Sequence, residues 1–69
     1  MFELLCILLY LGQIFSPSQY YSAEIYAIET QNQQQVNSIK NDPVQRQSVI
    51  DAHGRDAEQI TVMDREEEN

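Results

Sequence analysis

The sequence has one cysteine, Cys6, and one histidine, His53. A single cysteine excludes a disulfide within the chain, and one Cys with one His excludes an ordinary zinc site of nitrogen and sulfur ligands. No tryptophan is present, and no aromatic residue lies beyond Tyr26. Only four residues are basic: Lys40, Arg46, Arg55 and Arg65. Against eleven acids they leave a formal net charge of −7. Such a chain is repelled by phosphate backbones and anionic lipid surfaces, so a nucleic-acid partner is not expected. A basic protein partner is allowed. The two glycines, Gly12 and Gly54, are isolated, so no phosphate-cradling loop exists. No Asn-x-Ser/Thr acceptor, paired basic processing site or C-terminal lipidation box appears.

The chain is also short, at 69 residues. A domain of that size buries only about 60% of its unfolded surface and is marginal without a staple, and with disulfide and zinc excluded that leaves a partner chain, a membrane, or no stable fold. The apolar residues are concentrated between Leu4 and Phe15, and those beyond Thr30 are sparse. The expected fold class is therefore mostly α with disordered segments. An N-terminal apolar helix precedes one or two marginal amphipathic helices, with no independent globular core.

Leu4 to Phe15 would span about 18 Å as a helix, short of a bilayer core of about 30 Å. That length fits the apolar region of a secretory signal peptide better, with Ser16-Pro17-Ser18 supplying small residues for cleavage before Gln19. The n-region has no Lys or Arg, and Glu3 opposes the usual positive charge. Residues 1–18 are thus expected to be a signal peptide or membrane-anchor helix. The plainer alternative is an apolar helix buried in a complex, because its apolar residues nearly surround the axis. Cys6 reads as a small packing residue.

Residues 19–40 form a polar helix or linker with a Gln/Asn-rich patch after Thr30. Tyr21, Ile25 and Ile28 share a helical face, whereas Tyr21, Ala23, Ile25 and Ala27 alternate as a strand would. Ala and Glu favour the helix. The strongest local signal is Asn41-Asp42-Pro43-Val44-Gln45. Asp42 suits an N-cap, Pro43 suits the first helical position, and Gln45 sits where a capping box would close. One helix should end near Lys40 and another begin at Pro43. This second helix, over residues 42–63, is amphipathic through Ile50, Ala57 and Ile60, with a weak point or break expected at His53-Gly54. Residues 64–69 read as an acidic disordered tail.

No chemistry-bearing constellation converges. Asp51 and His53 lie about 200° apart on a helix, and only His53 and Asp56 share a face. No catalytic residue, metal site, cofactor or small-molecule substrate is expected. The leading expectation is a non-enzymatic small secreted protein or peptide precursor that binds a protein partner, secreted if cleaved near Ser18. The alternative is a membrane-associated accessory or interaction protein, of a membrane complex or of a virus, with membrane contact through Leu4 to Phe15. A further alternative is a soluble helical oligomer subunit. In the membrane-associated reading the polar arm is expected to bind its partner through Ile50, Ala57 and Ile60.

Overall fold

The computed structural model describes residues 1–64. Four helices and two short strands follow in order: α1 (Phe2–Tyr10), β1 (Ser18–Tyr21), α2 (Ser22–Gln31), α3 (Gln33–Lys40), α4 (Pro43–Ala57) and β2 (Ile60–Met63). The chain is mostly helical, as its sequence implies. The expected acidic tail falls, apart from Asp64, outside the described residues.

The apolar N-terminal segment is the centre of the structure. Leu4, Leu5, Cys6, Ile7 and Leu8 are all buried, and α1 packs against α2, α3 and most extensively α4. A helix apolar on every side needs neighbours on every side, and here the rest of the chain supplies them. Ile14, Ile25, Val36, Ile39, Val49, Ala57 and Ile60 complete one cluster. This corrects the expectation of a chain without its own core. That expectation assigned Leu4–Phe15 to export or to a membrane, and so subtracted the apolar supply that the polar helices pack around. Among the described residues, no helix is long and apolar enough to cross a membrane.

α1 stops for a local reason. Gly12 has φ of +74°, the left-handed conformation that glycine adopts most cheaply. Its N–H donates to the Leu9 carbonyl at 3.0 Å, and that of Gln13 donates to Leu8 at 2.9 Å, the paired bonds of a Schellman ending. The chain then turns inward at Ile14 and reaches β1. The residues expected to flank a cleavage site are tied into the fold. The Ser16 hydroxyl donates to the Asp56 carbonyl at 2.7 Å, and Ser18 pairs with Ile60.

β1 and β2 form a two-stranded parallel sheet, with Tyr20 opposite Val62 and Tyr21 opposite Met63. Helix over residues 19–29 is therefore corrected at its start: Ser18–Tyr21 is extended, and α2 begins at Ser22. The Glu24 carboxylate accepts from the Tyr21 N–H at 2.8 Å, which fixes the changeover. Past that point the helical period holds, since Ile25 is buried and Ile28 packs on the core.

At the second boundary the Asp42 cap and Pro43 stand where the sequence places them, whereas the capping box expected of Gln45 does not close. Asp42 Oδ1 accepts from the N–H groups of Val44 (3.1 Å) and Gln45 (3.3 Å), with Pro43 in the first turn. A cap of this kind is worth about 1 kcal/mol. The expected break at Gly54 is absent, and α4 runs on to Ala57. Phe2 explains the glycine. A Cβ at position 54 would stand 3.3 Å from Phe2 Cζ, so the bare backbone admits α1 closely. Phe2 is 43% exposed, so its ring can yield. Gly54→Ala should therefore gain most of the roughly 1 kcal/mol of helix propensity. The expected result is a melting temperature raised by up to about 4–8 °C, read by circular dichroism. A fall would show that the Phe2 contact outweighs propensity.

Candidate functional site

The three residues of the sequence-derived stripe do not form a docking surface. Ala57 and Ile60 are buried in the core, and Ile50 is half-buried against it. Ile60 is not helical at all, since it opens β2. An amphipathic stripe marks the side of a helix that seeks apolar company, and α1 provides that company from within the chain.

The structure instead offers a cleft of about 350 Å³ where three elements meet. Tyr10 and Leu11 come from the end of α1. Gln34, Gln35, Ser38 and Ile39 come from α3, and Gln45 from the first turn of α4. Each position has a local cause. Val36 and Ile39 turn the inner face of α3 into the core, which directs Gln34, Gln35 and Ser38 outward at i, i+1 and i+4. α3 is set apart from α2 at Asn32, whose side-chain amide donates to the Ile28 carbonyl at 2.9 Å. The Asp42 cap fixes Gln45. Across the turn from α3 to α4, Arg46 Nη1 donates to the Lys40 carbonyl at 3.1 Å.

The cleft residues carry no charge. Ile39 is 3% exposed and forms apolar floor, and Leu11 is half-buried. The basic groups beside the cleft residues in sequence are engaged elsewhere. Lys40 Nζ pairs with Glu29 and Arg46 Nε with Glu3, both at 3.3 Å. Both pairs are partly solvated and worth at most about 1 kcal/mol. Among the described residues, the side chains of Gln34, Gln35, Ser38 and Gln45 make no hydrogen bond within the chain. Three primary amides and a hydroxyl thus face a recess with their donors and acceptors unspent.

The remaining polar residues are placed apart from one another. Asp51 accepts from Gln47 Nε2 at 2.9 Å. His53 meets the Tyr10 ring edge-on, with centroids 6.0 Å apart and planes at 71°. No three of His, Cys, Asp and Glu cluster to hold a metal ion among the described residues. Cys6 is fully buried, and burial, aided by the nearby Glu3 charge, pushes its thiol pKa up. The thiolate is the reactive form, so Cys6 acts as an inert packing residue.

Comparison with protein-family models, curated protein sequences and solved structures finds no match to the chain.

Sequence reasoning missed the cleft because no local signal spans its three elements. The outward spacing of Gln34, Gln35 and Ser38 opposite Val36 and Ile39 was the part of it open to view.

Proposed function

We propose that this chain is a non-enzymatic binding protein that docks a protein partner in the cleft between α1, α3 and the start of α4. The observation that carries this reading is the set of unspent side chains, Gln34, Gln35, Ser38 and Gln45, over the apolar floor at Leu11 and Ile39. Its volume lies in the range of about 300–1,000 Å³ typical of ligand sites. The cleft chemistry suits holding rather than reacting. Primary amides do not ionise near neutral pH and so supply no general acid or base, and Ser38 has no base beside it in the lining.

In this reading the acting form keeps residues 1–18. Cleavage near Ser18 would remove the helix that fills the core and one side of the cleft. A photoreactive amino acid placed at Ser38, in an extract of the source cells, should yield a discrete protein adduct. The same group at exposed Ala23, outside the cleft, should not. Equal adducts at both positions, or none at Ser38, would count against the reading. An N-terminus near Gln19 on the isolated protein would do the same.

A further inference from the structure

We propose, resting on that reading, that the cleft takes an extended peptide segment that seats small apolar residues and carries Lys or Arg on its flanks.

The hydrogen-bonding inventory sets the backbone form. A glutamine amide offers two N–H donors and a carbonyl acceptor, so it can meet both groups of a peptide unit. An extended segment still has its backbone N–H and C=O groups to give, whereas a helix has already used its own. Gln34, Gln35 and Gln45 present such amides from two different helices. A strand-like segment between them would therefore be gripped by its main chain.

Volume sets the size of the seated part. About 350 Å³ corresponds to roughly a dozen waters of about 30 Å³ each. That accommodates one or two small side chains with their peptide groups. Leu11 and Ile39 supply apolar surface for those side chains.

Charge divides the ligand into seat and flanks. The lining holds no ionised group, so a charged residue inside would lose water without gaining a counter-ion. Outside the cleft the balance is strongly negative, with a net charge of −7. The cations next to the lining in sequence, Lys40 and Arg46, each sit against an acid, Glu29 and Glu3, so neither stands free to hold an acidic flank. Cations on the flanks of the segment are attracted and acids are repelled.

The test uses the full chain labelled with ¹⁵N, so that the side-chain amides of Gln34, Gln35 and Gln45 report directly. Two sets of capped heptapeptides share Ala and Val at the centre and carry either Lys or Glu at both ends. The Lys set should move those amide resonances and the Glu set should not. Binding should fall about tenfold in the Gln34→Ala, Gln45→Ala double variant. It should also weaken as salt rises from about 0.1 M to about 1 M, where the screening length shrinks from ~10 to ~3 Å. Unchanged helical circular dichroism in the variant assigns its loss to the cleft. Equal binding of the Glu set, unmoved amides, or binding indifferent to the double substitution would each overturn the proposal. Should the Ser38 adduct form while both peptide sets fail, the ligand class falls and partner docking stands. Loss of both results removes both.

Discussion

A chain beginning at Gln19 should show no cooperative thermal transition and should lose most of its helical circular dichroism. The missing residues include Leu4, Leu5, Cys6, Ile7, Leu8 and Ile14, half of the buried cluster. Each buried side chain of the Leu or Ile class is worth about 1.5–3 kcal/mol. The five of that class therefore account for about 7–15 kcal/mol before any cavity cost. A chain of this length has only about 3–10 kcal/mol of net stability, so the loss exceeds what is there to lose. α4 would also expose Val49 and Ala57, which α1 and its neighbours now cover. A sigmoidal melt and full helical signal from residues 19–69 would show instead that the polar arm folds alone. It would restore the signal-peptide expectation to first place. This single truncation thus separates a removable leader from a structural helix.

Leu8→Ala should destabilise the protein by about 2.7–5 kcal/mol, the range for a buried leucine whose cavity closes only in part. Leu8 is 0% exposed in the last turn of α1, and its carbonyl also accepts the closing bond from Gln13. Against about 3–10 kcal/mol of total stability, the variant should lose about a quarter or more of its margin, and toward the lower end of that range it should be unfolded near room temperature. Urea titration gives the shift in midpoint. Cys6 gives an independent reading, because its buried thiol should become reactive toward a disulfide reagent as the fold opens. Val44→Ala is the control. Val44 is 80% exposed and should change stability by no more than about 0.5 kcal/mol. A Leu8→Ala protein as stable and as unreactive as the parent would mean that α1 does not pack as described.

What the sequence revealed follows the range of the forces involved. Asp42 and Pro43 act within one helical turn, so the α3–α4 boundary could be read from a few neighbouring residues. Ser18–Tyr21 was misread because its extended form depends on Ile60–Met63, whose β-branched residues lie about forty positions further along and matter only once the two strands meet. Gly54 was misread because the reason for it, Phe2, lies on another helix. The stripe of Ile50, Ala57 and Ile60 was correctly seen as apolar, but apolarity does not say whether the cover comes from another protein or from α1. The cleft was the least visible feature, since polar outward residues look alike until three elements bring them around one recess.

The parallel pairing of β1 with β2 also bears on how the protein is born. β2 is the last described element to be made, and Ser18–Tyr21 has no other strand to join among the described residues. At about 5–20 residues per second, synthesis leaves β1 waiting about 2–8 s for its partner. Leu4 to Leu8 wait as well, because α4, their main cover, is also late. Through that interval the apolar stretch from Leu4 to Leu8 lacks its main cover, so α1 packs only once most of the described residues have been made.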